Sequence, residues 1–149
     1  MTIAHRRRPW TPRPWRRLEL FTVSEPRGTL TVVESGGQIP FSIEREYHVY
    51  DVPAGGRRAG HAHHSLEEVL IAVAGSFVVV CDDGRNRERV HLDRPDVGLY
   101  VPGRVWIEIS EFALGSVCLV LASARFDPSE DWSDYEEFAA AVTGDTAVP

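Results

Sequence analysis

The 149 residues, 43% of them hydrophobic and 26% charged, describe one soluble globular domain with enough chain to bury a core. No apolar run approaches the roughly 20 residues of a membrane-spanning helix. Arg6, Arg7, Arg8, Pro9 and Trp10 stand where a secretory signal needs its apolar stretch, so a cytoplasmic protein without membrane contact is expected. The net charge of −6 is unevenly spread: residues 1–20 carry +5, which leaves −11 on the remainder. A basic arm beside Trp10 and Trp15 suits nucleic acid, but Pro9, Pro12 and Pro14 break regular structure and the acidic body repels phosphate, so no nucleic-acid partner is expected.

In chain order, residues 1–17 read as a flexible Arg- and Pro-rich leader, and residues 18–149 as a single domain. Short strand-like runs follow. Residues 30–34 meet the turn Ser35-Gly36-Gly37, and residues 43–51 meet Pro53-Ala54-Gly55-Gly56. Residues 69–73 end at Gly75, and residues 77–81 end at Asp82-Asp83-Gly84, a hairpin signal. Residues 90–92, 97–101, 105–109 and 116–121 complete the series, with Cys81 and Cys118 inside apolar runs as buried, reduced thiols. Many short strands without helical pattern between them predict an all-β sandwich or barrel. Near the end, Ser133-Asp134-Tyr135-Glu136 has the form of a capping box. Tyr135, Phe138, Ala139 and Val142 then recur at helical spacing before Gly144, so a short C-terminal helix is predicted to pack on the barrel or on a partner.

The chemistry-bearing stretch is Gly55 to Gly75. His61 and His63, two apart on a strand, project from one face. Two adjacent imidazoles are costly to bury without ligand, proton or substrate partners. Gly55, His61, His63, Glu68 and Gly75 stand at the spacing of the first cupin motif, which the sequence therefore resembles. In many cupins these histidines and the glutamate bind a divalent metal with one further histidine. Here the corresponding position after Trp106 is Ile107, which cannot ligate, so no metal and no other cofactor is expected.

More narrowly, the chain resembles the dTDP-4-keto-6-deoxyglucose 3,4-ketoisomerases, metal-free cupin enzymes of deoxyamino-sugar biosynthesis. The resemblance runs from Glu25 to Phe138. It is carried by Pro26-Arg27-Gly28-Thr29-Leu30, Ile39-Pro40-Phe41-Ser42-Ile43, Tyr47, Tyr50-Asp51-Val52, and the His-Ala-His segment with Leu66-Glu67-Glu68-Val69-Leu70. Cys81-Asp82-Asp83-Gly84, Val97-Gly98-Leu99-Tyr100-Val101-Pro102, Trp106 and Val120-Leu121-Ala122-Ser123 extend it. His64 stands where members carry Lys or Arg, and Ile107 where they often carry a polar group.

The resemblance implies a cupin jelly roll and a keto group moved from C4 to C3 of a dTDP-linked 4-keto-6-deoxyhexose through an enediol. It implies His61 as the base at C3, with His63 shuttling or orienting the proton. Tyr47 and Arg58 are the candidates to stabilise the enolate oxygen. Arg27, Glu68, Trp106 and Ile107 are expected to contact substrate, Ile107 on the wall where C4 receives its proton. A homodimer that exchanges N-terminal strands, near residues 18–33, is also implied. A metal-dependent cupin dioxygenase, a non-catalytic sugar-binding cupin and an epimerase are the alternatives.

Overall fold

The computed structural model of the chain describes residues 13–144. Its strands are β1 (Arg16–Glu19), β2 (Phe21–Glu25), β3 (Gly28–Val32), β4 (Arg45–Val49), β5 (Arg58–His63), β6 (Glu68–Ala74), β7 (Phe77–Asp82), β8 (Arg87–Leu92), β9 (Val97–Val101), β10 (Trp106–Ser110), β11 (Val117–Ala122) and β12 (Asp131–Trp132). One helix, α1 (Tyr135–Gly144), follows. Two five-stranded antiparallel sheets face each other, in the orders β1-β9-β6-β11-β4 and β12-β5-β10-β7-β8. From β4 to β11 the chain changes sheet at every step except the β7–β8 hairpin, which winds the two sheets into the jelly roll of a cupin. Among the described residues no helix is long and apolar enough to cross a membrane.

The strand alternation explains the core. Leu70, Ala72, Leu99, Cys118 and Val120 of one sheet interdigitate with Phe77, Val79, Cys81, Val90, Ile107 and Ile109 of the other. The intervening residues face outward, and two of these outer faces are also apolar. On the first sheet, Val69, Ile71 and Leu121 are covered by Leu20, Ile39 and Phe41. On the second, Ala62 and Trp106 are covered by Phe138 of α1, flanked by Trp132 and Val142. Cys81 and Cys118 are buried free thiols, and burial pushes both up to about 12, which leaves them inert.

Two boundaries differ from the sequence expectation. The leader does not extend to Arg17: Arg16 and Arg17 pair with Tyr100 and Leu99 in β1, and Trp15 is only 4% exposed inside the main core. The indole Nε1 of Trp15 donates to Glu88 Oε2 at 3.2 Å, so tryptophan burial overrides the local proline and arginine content. Residues 1–12, the rest of the expected leader, lie outside the described residues. At the other end the helix cap is Asp134 rather than Ser133. Asp134 Oδ1 accepts from the Glu137 backbone N–H at 3.0 Å, which places the helix start one residue later.

Because Trp15 belongs to the core, Trp15→Ala is expected to cost about 3–5 kcal/mol, the scale of a large-to-small change at a buried aromatic. Urea denaturation checks this, and a shift below ~1 kcal/mol would return Trp15 to the leader.

Candidate active site

Arg58 and His61 are three residues apart, and on a regular strand they would face opposite sides. β5 is not regular. Ile107 of β10 lies opposite His61 and Glu108 opposite Ala59, so the pairing slips by one residue at Gly60. Ala59 and Gly60 both take positive φ, 65° and 81°, the backbone of a bulge. The extra residue restores one face, and Arg58 and His61 both line a cavity of about 400 Å3 in the barrel. Tyr47 and Arg57 also line it, with an apolar wall that includes Leu70, Ile107 and Ile109. Beyond Arg57 and Arg58 a groove of about 350 Å3 continues past His48, Tyr50 and Asp51.

Behind His61 lies a second, smaller cavity bordered by His63, Glu68, Asp131 and Arg45, with Tyr47 and His61 common to both. The two imidazole rings are 4.7 Å apart, centre to centre. His63 Nε2 is 2.9 Å from Glu68 Oε1, and its Nδ1 is 2.5 Å from Asp131 Oδ1. Carboxylates accept, so a doubly protonated His63 satisfies both contacts at once. The Tyr47 hydroxyl donates to the same Glu68 oxygen at 3.2 Å. Glu68 is 2% exposed, and the Arg45 guanidinium lies 4.6 Å from the centre of the Tyr47 ring.

These surroundings separate the two histidines. Burial pulls His61 below the ordinary histidine value, and the neighbouring His63 pulls it further. Burial also works against a charged His63, but the hydrogen bonds and charges of Glu68 and Asp131 outweigh it and the net direction is upward. Tyr47 is raised by burial and then by Glu68, so it remains a phenol and a donor. Among the described residues, His61 Nε2 and Glu68 Oε2 are buried polar atoms without a hydrogen-bond partner. His61 thereby presents an unpartnered nitrogen at the cavity, next to a histidine whose surroundings favour its charged form.

Ligand atoms of His61, His63 and Glu68 lie within 4.8 Å of one another, a spacing that a metal ion could use. Both nitrogens of His63 are already committed to carboxylates, Glu68 Oε1 is shared with Tyr47, and the wall position that would complete the set is Ile107. The arrangement suits proton transfer rather than ligation.

Of the residues expected from sequence, His61, Tyr47, Arg58 and Ile107 meet at the larger cavity. His63 and Glu68 stand one layer back. Glu68 holds His63 through a hydrogen bond and borders the smaller cavity with it, and carboxylates engage both His63 nitrogens. Trp106 is a further correction. It faces out of the barrel, packs edge-on against Tyr135 at 5.4 Å and beside Phe138, and donates to Glu108, because it alternates with the inward Ile107. Arg27 lies in the β2–β3 turn, is 86% exposed and pairs with Glu25, so the single chain does not bring it to the cavity. Asp131 and Arg45 escaped the sequence reading. Asp131 sits 68 positions from its histidine, on a two-residue strand too short to leave a pattern.

The FdtA family profile (WxcM-like, C-terminal) matches residues 15–143. The chain is 40% identical over 116 residues to the TDP-4-oxo-6-deoxy-alpha-D-glucose-3,4-oxoisomerase of Aneurinibacillus thermoaerophilus, covering 78% of this chain and 84% of that protein. It superposes on a 3,4-ketoisomerase from Helicobacter canadensis with a TM-score of 0.84 at 38% identity, covering 87% of this chain and 97% of the other. A variant of the 3,4-ketoisomerase QdtA from Thermoanaerobacterium thermosaccharolyticum, in complex with TDP-4-keto-6-deoxyglucose, gives a TM-score of 0.88 at 28% identity, over 93% and 100% of the two chains.

Since both nitrogens of His63 are committed to carboxylates and Ile107 stands where a further ligand would be needed, dialysed protein is expected to carry only substoichiometric metal by elemental analysis. Its turnover should be unchanged in EDTA. Loss in chelator with rescue by one added divalent ion would reverse this reading.

Proposed function

This chain belongs to the FdtA family, and we propose that it is a sugar-nucleotide 3,4-ketoisomerase that works by histidine acid–base chemistry. Its substrate is a TDP-linked 4-keto-6-deoxyhexose, and it moves the keto group from C4 to C3. The observation that carries the mechanism is the unpartnered, buried Nε2 of His61 at the wall of the barrel cavity.

The proton on C3 is acidified by the C4 carbonyl. His61 takes it, the C3–C4 double bond forms, and the C4 oxygen becomes an enolate. Tyr47, held as a phenol, and Arg58 face the cavity where that negative charge develops, and preorganised donors of this kind stabilise it. The C3 hydroxyl proton passes to the C4 oxygen. A proton then returns to C4 as the C3 carbonyl forms, and no atom is gained or lost. Ile107 lines the same wall and can donate no proton, so C4 is reprotonated by His61 or by water. Arg57 and Arg58, shared between the cavity and the outer groove, stand where a diphosphate leaving the barrel would pass. Work in the cytoplasm fits the two unpaired thiols.

The same reading includes a homodimer. β1 pairs with β9 of its own sheet, so the part of the exchanged segment before Leu20 is already satisfied within the chain. The β2–β3 hairpin is not: it forms a two-stranded sheet of its own, with Phe21 60%, Val23 43% and Leu30 63% exposed. A lone hairpin with an apolar face is marginal in water, and a second copy provides cover for it. In that assembly Arg27, at the hairpin tip, is carried towards the partner.

The decisive experiment is incubation with TDP-4-keto-6-deoxyglucose in D₂O followed by NMR. A 3-keto product with deuterium at C4 is expected, and a retained 4-keto group with exchange confined to C3 would point to an epimerase. His61→Asn should fold and lose at least ~10²-fold in turnover, the usual scale of a general base. Less than a threefold loss would remove His61 from that role. For the assembly, sedimentation at micromolar concentration is expected to give a dimer, and a Phe21→Ser, Leu30→Ser double variant should shift it towards monomer.

A further inference from the structure

The C-terminal segment does more than cover the barrel. β12 is only two residues long, yet it is placed with care: Asp131 pairs with His63 and Trp132 with Ala62. The His64 backbone N–H donates to the Glu130 carbonyl at 2.7 Å, and Ser65 Oγ donates to Glu130 Oε1 at 2.9 Å. Trp132 stacks on the His64 ring at 3.9 Å and meets Phe138, which is fully buried, at 5.7 Å. The outcome of these anchors is one contact in the interior, Asp131 Oδ1 to His63 Nδ1.

We propose that Asp131 is a positioning residue of the isomerisation: its carboxylate locks the His63 ring between itself and Glu68, and so keeps His63 a fixed cation beside the His61 face that meets substrate. This rests on the functional reading above for its kinetic consequence, but the ring geometry does not. A side chain held through both nitrogens can neither flip nor change tautomer without breaking a hydrogen bond to a charged acceptor. An imidazolium next to His61 keeps a proton off His61 in the resting site and accompanies the negative charge that the enolate brings. Only one of the two carboxylates could come from the motif itself. Asp131 is the second, supplied by the far end of the chain.

The groups facing His63 are His61 on its own strand, Glu68 on β6, Arg45 and Tyr47 on β4, Asp127 ahead of the Pro128–Glu130 turn, and Asp131 on β12. Glu68 and Asp131 are the ones that contact its nitrogens. Removing Asp131 leaves Glu68 as a single support. The protonated state of His63, raised by both, then extends to a lower pH limit than before. Turnover needs His61 neutral and His63 charged. The acid limb of the rate profile therefore lies below the ordinary histidine value and the alkaline limb above it. Loss of Asp131 moves the alkaline limb towards lower pH.

The test uses ¹⁵N-histidine-labelled full-length protein, with His63 assigned by comparison with His63→Asn. In the wild type at neutral pH, both ring nitrogens of His63 are expected to carry protons. In Asp131→Asn, which is isosteric, the ring should titrate at lower pH, kcat should fall by about 10- to 100-fold, and KM should change less than threefold. Asp131→Glu, which keeps the charge, should recover part of kcat and most of the alkaline limb. A singly protonated His63 in the wild type overturns the proposal, even if the Asn variant fails to fold. So does an Asp131→Asn protein whose His63 titration and alkaline limb are unmoved. A wild type that titrates as described but makes no 3-keto product would sink the functional reading and leave the positioning role standing.

Discussion

A carboxylate at 2% exposure beside an apolar core costs several kcal/mol unless it is paired, and Glu68 is that carboxylate. Its partners are His63 and Tyr47, each delivered by a different strand. Once His63 is bound to Glu68, its other nitrogen needs an acceptor, and Asp131 supplies it. The charge on His63 then acts on His61, which retains a free nitrogen at the cavity wall. Each assignment at the site follows from the need to compensate one buried charge, and the compensation draws on β4, β5, β6 and β12 together.

The bulge at Ala59 and Gly60 does comparable work by geometry alone. Without it, Arg58 would face outward whenever His61 faced inward, and the cation would be lost to the cavity. Two consecutive residues at positive φ, one of them an alanine, carry a strain that the flanking pairing to β10 must hold. The strain sits directly before the histidine that faces the cavity. Reactive geometry and backbone cost coincide here, as they do where a scaffold is bent to serve a site.

Around this centre the barrel is wrapped by what would elsewhere be called tails. Trp15 enters the main core from the N-terminal side, and α1 caps the outer face of the second sheet through Phe138. Trp106 belongs to that outer layer. Its indole braces α1, and α1 in turn steadies the short strand that bears Asp131. A tryptophan that faces out of the barrel is thus linked to the site through packing. The β2–β3 hairpin is the remaining appendage, and its exposed Phe21 and Leu30 set it apart from the wrapped ends.

Strand alternation and turn residues were sufficient for an all-β domain, and the spacing of Gly55, His61, His63, Glu68 and Gly75 for a resemblance to the first cupin motif, because both are local properties of the chain, while the family came from the resemblance of longer segments between Glu25 and Phe138. The resemblance named Ile107 and Trp106 alike as pocket residues, and the structure puts Ile107 on the cavity wall. The tertiary structure alone decided what each polar group does. Alternation cannot say which face of β10 is inside, so Trp106 and Ile107 were indistinguishable until the sheets closed. The direction of each histidine's charge depends on carboxylates 5 and 68 positions from His63. Electrostatic partnership acts through space and over a few ångströms, and no spacing along the sequence records which distant residue the fold will bring that close.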